Sequence, residues 1–482
     1  MNYSVVIYIL GWIMEIEAAF LTLPGIVSAI YGEKGGFAFL WVALGSAVAG
    51  SIIILRKPKN MRFYLREGFV TVALSWILMS VIGCLPFVIN GDIPHFADAL
   101  FEMISGFTTT GATVVSDVEG LTKGSLFWRS FSHWIGGMGV LVFLLAIVPM
   151  AGGSHMNLMK AESPGPSVGK LVPKVRQTAK YLYIIYFALT VIEVIFLLFG
   201  GMNLFEALTT AFGTAGTGGF AIWNDGFVSV SPYNQWVVTI FMLLFGVNFG
   251  FYFLILTGKL RDALKFEEVR IYFIIVIASA VFIFINLWHF ALYAPAEGIR
   301  HAFFQVASII TTTGFASANF DLWPETSRTI LVILMFIGAC AGSTGGGIKV
   351  SRFIIAFKSF IKEIISYLHP RSVKKIKVEG KPLEHETLRA TNVYFMTYMV
   401  IFAVSVLLVS IENKDLVTNF TAVAATFNNI GPGLSLVGPM SNFGHFTDFT
   451  KYILMFDMLA GRLEIFPMLL LFCPAVWKRR RA

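Results

Sequence analysis

Four glycine-terminated segments carry the residue types that could replace the hydration shell of a cation. Each is an apolar stretch of about ten residues, too short to span a membrane, that ends in a turn rich in Thr, Asn or Gly. The turns are Thr109-Thr110-Gly111, Thr217-Gly218-Gly219, Thr312-Thr313-Gly314 and Asn429-Ile430-Gly431. Backbone carbonyls can coordinate a dehydrated cation, and glycine permits positive φ and close approach of backbones. The four segments are therefore candidates for a site in which oxygen atoms coordinate a cation.

The four segments form an internal repeat. They align without gaps from Ala99, Ala207, Ala302 and Asn419, and their last glycines lie 108, 95 and 117 positions apart. Close helix packing through small residues explains a cluster such as Gly136, Gly137 and Gly139, but it does not explain four gapless copies. Non-helical backbone at membrane depth must be buried or line a cavity. The repeat therefore predicts four short half-helices whose C-terminal ends and carbonyls face one central pore.

A second glycine-rich stretch predicts a break in a membrane helix. It lies within 338–349 and comprises Gly342, Ser343, Thr344, Gly345, Gly346, Gly347, Ile348 and Lys349. Each glycine costs roughly 1 kcal/mol relative to Ala inside a helix, so the chain should leave the helix here and line the pore as a gate. A kink that serves packing alone is the alternative. A nucleotide-binding loop is excluded because Ile348 separates glycine from lysine and no strand precedes it.

Arg462 is predicted to lie deep in the last membrane span. An arginine there costs on the order of 3 kcal/mol, so it should face the protein interior. It could face the pore as an electrostatic barrier, bind carbonyls of the glycine-rich stretch, or pair with a buried carboxylate. The candidate carboxylates are Glu15, Glu17 and Glu193, and the embedded Asn248 and Asp457 have no predicted role.

Composition places these segments in a membrane protein. Of 482 residues, 56% are hydrophobic and only 13% are charged, about half the charge of a soluble domain. Ten apolar runs are long enough to span a bilayer. They are 4–31, 36–55, 68–90, 126–150, 179–200, 233–257, 269–293, 328–356, 391–411 and 450–476.

The basic residues set the predicted orientation. Loops on one side hold 27 of the 36 Lys and Arg residues and the opposite loops hold seven, among them Arg129. The positive-inside rule places the crowded loops and both termini in the cytoplasm. The net charge of +8 is therefore read as a topology signal and not as a nucleic-acid surface.

The predicted fold is all-α: ten transmembrane helices plus four re-entrant pore half-helices, in four pseudo-symmetric units around one pore. A hairpin at 1–66 precedes units at 67–178, 179–268, 269–388 and 389–482, and the third unit contains the gate at 338–349. Only the third unit is expected to carry a broken helix, and only the fourth an intramembrane arginine.

The sequence resembles the TrkH/KtrB/HKT superfamily of potassium transporters over nearly its whole length. The resemblance rests on the four turns, on 342–349, on Asn429-Ile-Gly-Pro-Gly433, on Ala161-Glu-Ser-Pro-Gly165 and on Gly461-Arg-Leu-Glu464. It implies potassium uptake across a bacterial inner membrane, K⁺ bound at the four glycines, and a movable gate. It also implies a homodimer and a cytosolic TrkA-like nucleotide-binding subunit docked on the inside segments 151–178 and 352–389.

Two alternatives bear on this expectation. An ion-coupled symporter (K⁺ with H⁺ or Na⁺) could use the same pore. An enzyme is disfavoured because the eight histidines are scattered, without metal-ligand or acid–base spacing.

The second and fourth turns depart from Thr-Thr-Thr-Gly, so fewer ion sites and lower selectivity are expected than in a symmetric tetramer.

Overall fold

The computed structural model describes residues 1–59, 64–137, 139, 175–369 and 375–478, and most of these residues are helical. The all-α prediction is confirmed. The motif at 161–165, most of the segment 151–178, and residues 370–374 of the segment 352–389 lie outside the described residues.

The described residues contain nineteen α-helices, three short 3-10 helices and one small hairpin. In chain order the helices are α1 (Tyr3–Ile30), α2 (Gly36–Leu55), α3 (Leu65–Asn90), α4 (Phe96–Phe107), α5 (Lys123–Gly137), α6 (Val175–Phe199), α7 (Leu204–Gly216), α8 (Pro232–Phe245), α9 (Phe249–Leu256), α10 (Leu260–Ala263), α11 (Glu267–His289), α12 (Pro295–Ile310), α13 (Glu325–Ile337), α14 (Val350–Leu368), α15 (His385–Val409), α16 (Leu416–Phe427), α17 (Asp448–Arg462), α18 (Phe466–Leu471) and α19 (Pro474–Trp477). Strands β1 (Lys377–Val378) and β2 (Lys381–Pro382) pair antiparallel.

Six described helices are long and apolar enough to cross a membrane: α1, α2, α3, α6, α11 and α15. The chain is therefore a multi-pass membrane protein. Helices α8 and α9 together are a seventh candidate, although they are bent by 88°. The other three predicted spans are not single continuous helices in the described residues. The span at 126–150 is described only in its first half, and those at 328–356 and 450–476 are interrupted.

The same order of elements occurs four times along the described chain. A long helix is followed by a short one, a loop and a further helix, as in α3–α4–α5, α6–α7–α8, α11–α12–α13 and α15–α16–α17. The C-terminal halves of the four short helices are almost wholly buried. Their amino ends are set locally: Asn203 and Glu206 form a capping box on α7, and Asp415 caps α16, which supplies acceptors to otherwise unpaired N–H groups.

The expectation that only the third unit carries a broken helix is wrong. The helix after the second loop breaks at Gly246, and Asn248 starts α9 by accepting a hydrogen bond from the N–H of Gly250 at 2.8 Å. The helix after the fourth loop ends at Arg462, because Glu464 and Ile465 both have positive φ, 59° and 70°. Such backbone is uncommon in residues other than glycine. It therefore marks a built feature of the fold.

Candidate functional site

The four predicted turns have the same backbone form. Each begins with a residue at positive φ, and two positions later comes a glycine that also has positive φ. The φ values are 54° and 78° at Thr109 and Gly111, 54° and 79° at Thr217 and Gly219, 61° and 84° at Thr312 and Gly314, and 56° and 99° at Asn429 and Gly431. The residues between them (Thr110, Gly218, Thr313 and Ile430) do not share this φ. The similarity therefore lies in the backbone path, even where the side chains differ.

The four turns contact one another in cyclic order. A methyl group built on Gly111 would lie 1.9 Å from the carbonyl oxygen of Gly218, and one on Gly219 would lie 1.9 Å from that of Thr313. The same construction on Gly314 meets the oxygen of Ile430 at 2.0 Å. On Gly431 it meets the oxygen of Thr110 at 2.7 Å, which returns to the first turn. The turns thus form a closed ring lined by backbone, and each glycine is required both by its φ and by its neighbour.

Side chains behind the ring differ from turn to turn. The hydroxyl groups of Thr108 and Thr110 are hydrogen-bonded at 2.8 Å, and the corresponding pair in the third turn, Thr311 and Thr313, at 2.7 Å. In the fourth turn, Asn429 Nδ2 instead donates across to Thr110 Oγ1 at 2.9 Å. This bond joins the last turn directly to the first.

A cavity of about 120 Å³ lies on one side of the ring and is lined by all four glycines. Its wall includes Trp223, Asn224 and the 437–443 segment, which belong to the connections between short helices and the helices that follow. It is a mouth through which a hydrated ion could reach the carbonyl oxygens.

The glycine-rich stretch, here called the gate loop (338–349), lies against the other side of the ring. The chain has no helix between Ile337 and Val350. The N–H of Gly346 donates to Thr312 Oγ1 at 2.6 Å, and a methyl group on Gly346 would meet the carbonyl oxygen of Asn428 at 2.6 Å. The gate loop is thus in direct contact with the third and fourth turns.

Positive φ values explain why glycines occupy this loop: Gly338, Gly342 and Gly347 have φ of 72°, 70° and 75°. Lys349 also has positive φ, 83°, and its buried ammonium group donates to the carbonyl of Gly345. The hydroxyl of Ser343 donates to the carbonyl of Cys340 at 2.6 Å. The loop is therefore an ordered structure with its own internal bonds.

Arg462 binds backbone carbonyls on two elements. Its Nη1 donates to the carbonyl of Thr344 in the gate loop at 2.9 Å, and its Nη2 donates to the carbonyls of Gly136 and of Gly137, the latter at 3.1 Å. These contacts correspond to one of the three alternatives for this residue, the binding of gate-loop carbonyls. They place its charge between α5 and the gate loop, directly where α17 ends.

Two buried charged residues near the site were not singled out from the sequence. Arg352, counted among the cytoplasmic basic residues, is buried; it pairs with Glu464, and its guanidinium carbon lies 3.8 Å from the centre of the Tyr394 ring. Arg129, assigned to an outside loop, lies inside α5 and pairs with Glu102 of α4 at 2.7 Å. The signal for this second pair was present: Glu102 occupies an apolar segment where the aligned copies have Thr210, Gln305 and Ala422, and a charge there requires a partner.

Two of the embedded polar residues named in the sequence analysis have local partners. Glu15 accepts from Ser51 at 2.6 Å within the α1–α2 hairpin, and Asp457 accepts from Ser405 at 2.7 Å between α17 and α15. Glu193 is buried in α6.

This fold and site define a class: a multi-pass helical membrane protein in which a ring of backbone carbonyls lies between a cavity and a loop that interrupts a helix. The family model for TrkH, described as a cation transport protein, matches residues 37–479. The chain belongs to the TrkH family of cation transport proteins, and it is a transporter and not an enzyme.

The chain aligns with named relatives over almost its whole length. The chain is 37% identical to the Trk system potassium uptake protein TrkH of Salmonella typhimurium and 36% identical to that of Escherichia coli K12. Each alignment covers 99% of this chain and 100% of the relative. The crystal structure of the potassium transporter TrkH from Vibrio parahaemolyticus superposes with a TM-score of 0.87 at 32% identity, covering 99% of this chain and 100% of that one.

Proposed function

We propose that this chain takes up potassium ions across a bacterial inner membrane through a channel-like, gated pore. The observation that carries the proposal is the cyclic contact of the four turns, each glycine lying against a carbonyl of the next turn. A closed ring of carbonyls flanked by the ends of four short helices is a suitable site for a dehydrated cation. The names of the relatives, potassium uptake proteins, indicate which cation.

The selectivity filter comprises the carbonyl groups of the four turns, 109–111, 217–219, 312–314 and 429–431. The gate comprises the stretch Gly342–Gly347 together with Lys349 and Arg462. A loop held against the inner face of the ring obstructs the ion path, so flux requires its displacement. Arg462 stabilises the closed position because it donates to the carbonyl of Thr344.

The wider architecture is part of the same proposal. Ten spans form an N-terminal hairpin and four pseudo-symmetric units around one pore, with both termini in the cytoplasm. The complete transporter is a homodimer that binds a cytosolic TrkA-like subunit, which is the nucleotide-binding component of the system. Support comes from the four-fold recurrence of element order and from the name "Trk system" of the relatives.

The filter is tested by reversal potentials of the purified protein in liposomes bathed in mixed K⁺ and Na⁺. Gly111→Ser and Gly314→Ser should each lower the permeability of K⁺ relative to Na⁺, because a Cβ at either position overlaps a neighbouring carbonyl. Gly45→Ser is the matched control, since nothing lies within 4 Å of a Cβ added to this α2 residue. An unchanged ratio in both filter variants would overturn the filter assignment.

The gate is tested by deletion of residues 342–347, which should raise basal K⁺ flux above that of the intact chain. Unaltered flux in a folded deletion variant would refute the gate. The coupled symporter is distinguished by rate and stoichiometry. A single-pore current above roughly 10⁵ ions per second leaves only about 10 µs per ion, at the fast end of the microsecond-to-millisecond range of domain motions, and so argues against alternating access. Fixed co-movement of H⁺ or Na⁺ with K⁺ would establish coupling.

A further inference from the structure

One buried carboxylate, Glu268, is bound to both ends of the gate loop. It lies in the first turn of α11, and its Oε1 accepts hydrogen bonds from the N–H of Ala341 at 2.7 Å and from the N–H of Ser351 at 3.0 Å. Ala341 lies near the start of the gate loop, and Ser351 lies just past its end, in the first turn of α14. A single oxygen atom therefore holds two points ten residues apart.

The N–H group of Ser351 requires an acceptor from outside its own helix. Ser351 is the second residue of α14, where backbone N–H groups have no partner within their own helix. A carboxylate near a helix amino end is further favoured by the helix dipole, and a charged acceptor makes a stronger bond than a neutral one. Glu268 thus acts as a cap for α14 that is supplied by another helix.

A route leads from Glu268 to the cytoplasmic hairpin. The adjacent Glu267 pairs with Lys358 of α14 at 2.6 Å, and Lys358 also donates to the carbonyl of Lys377 in β1 at 2.8 Å. The N–H of Glu379, in the turn of the hairpin, donates to Glu267 at 3.4 Å. The hairpin is therefore joined through Glu267 to the first turn of α11, on which Glu268 sits.

We infer that Glu268 is a positioning residue that latches the gate loop closed, and that the β1–β2 hairpin transmits cytosolic contacts to this latch. The inference rests on the proposed function, because it assumes that the gate loop obstructs the ion path. Release of the carboxylate removes one hydrogen bond at each end of the loop at once, whereas Arg462 binds only its middle. The latch does not touch the four turns of the ring, so it sets how often the pore opens and not which ion passes.

The chain offers a natural probe of loop position. Cys340 belongs to the gate loop and is buried, whereas Cys473 is exposed and Cys84 is buried in α3. In a Cys84→Ser, Cys473→Ser background, the rate at which a water-soluble maleimide modifies Cys340 reports displacement of the loop. Basal K⁺ flux into liposomes and the K⁺/Na⁺ reversal potential are measured on the same preparations.

Glu268→Ala should increase both the labelling rate and the basal K⁺ flux by at least about tenfold, because hydrogen bonds to a charged group are each equivalent to a factor of roughly ten to a hundred. The reversal potential should stay as in the parent. Glu268→Gln, which keeps the shape and a weaker acceptor, should give a smaller increase and guards against misfolding of the alanine variant. Lys358→Ala should shift both readouts in the same direction. Glu363→Gln, on an exposed position of α14, is the matched control and should match the parent.

The outcomes separate the latch from the proposed function. Folded Glu268→Ala and Glu268→Gln proteins that label and conduct like Glu363→Gln would overturn the latch. Faster labelling together with a changed reversal potential would also overturn it, because the residue would then be supporting the filter. Absence of K⁺ flux in both the parent and the 342–347 deletion would contradict the proposed function, and the labelling rates would still decide whether Glu268 holds the loop.

Discussion

Replacement of Arg129 by leucine should strongly destabilise the protein, because it leaves a buried carboxylate without its counter-charge. Arg129 and Glu102 are 1% and 0% exposed at their side chains, and their charged atoms lie 2.7 Å apart. Removal of one partner from such a pair costs about 3–5 kcal/mol, out of a total folding stability of roughly 5–15 kcal/mol. The folded-to-unfolded ratio should therefore fall by a factor on the order of a hundred to several thousand.

Arg129 also connects two turns of the ring. Glu102 accepts from Thr113 Oγ1 at 2.9 Å, just beyond the first turn, and the guanidinium carbon lies 4.2 Å from the centre of the Phe220 ring, just beyond the second. Loss of Arg129 should thus loosen both turns as well as lower global stability. A reduced K⁺/Na⁺ permeability ratio in the surviving folded protein is the functional readout.

A double-mutant cycle tests the electrostatic origin of this cost. Glu102→Gln removes the charge while keeping an acceptor for Thr113, so Glu102→Gln combined with Arg129→Leu should be more stable than Arg129→Leu alone. Lys265→Leu is the control, because Lys265 and its partner Asp262 are 76% and 59% exposed and such pairs contribute about 0–1 kcal/mol. Free energies come from denaturant titration in detergent. A cost below about 1 kcal/mol for Arg129→Leu, or no recovery in the double variant, would refute the reasoning.

Three further perturbations test other parts of the structure. Gly219→Ala should abolish selective flux, because its Cβ would lie 1.9 Å from the carbonyl oxygen of Thr313 at a φ of 79°; reversal potentials check this. Asp415→Ala should cost about 0.5–2 kcal/mol as a lost helix cap. Because the side chain of Thr418 donates to Asp415 and lowers its pKa, this contribution should be present above the unfolded pKa of about 3.9 and be lost as the pH falls through the folded value, as acid titration of stability would show. Arg352→Lys should raise basal flux, because Arg352 donates to the gate-loop carbonyl of Ile348 at 2.9 Å and a lysine cannot keep this bond while also stacking on Tyr394 and pairing with Glu464. Tyr394→Phe, which keeps the ring, should not raise it.

The ring could be anticipated from the sequence because its determinants are local. A glycine that follows a short apolar segment can be recognised in a single sequence. Four gapless copies of this pattern indicate that the segments share one backbone path. The gate loop is similar in this respect, since three consecutive glycines weaken a helix wherever they occur. Both features depend on backbone preferences within about ten residues.

Most of the contacts that hold the ring and the gate loop in place could not be predicted from the sequence. Glu268 binds N–H groups 73 and 83 positions further along the chain, and Arg352 finds Glu464 112 positions away. The break after α8 is held by the distant gate loop, because the N–H of Phe249 donates to the carbonyl of Gly342 at 3.0 Å. No periodicity or composition marks such pairs, because they arise from how distant helices pack.

The four turns of the ring share one backbone path, but different side-chain contacts hold each of them in place. This difference affects selectivity. Discrimination between K⁺ and Na⁺ depends on how many carbonyls coordinate the ion and on how far they can move toward a smaller one. Hydroxyl pairs back the first and third turns, whereas the fourth is held by Asn429, which donates both to Thr110 and to the carbonyl of Met458 at 2.9 Å. In the second turn, Thr217 Oγ1 donates to the neighbouring carbonyl of Gly216 at 2.6 Å, and the support from another element comes from α5, where His133 Nε2 accepts from the N–H of Phe220 at 3.2 Å. Removal of this acceptor should loosen the second turn toward a smaller cation, so His133→Ala should lower the K⁺/Na⁺ permeability ratio measured by reversal potentials.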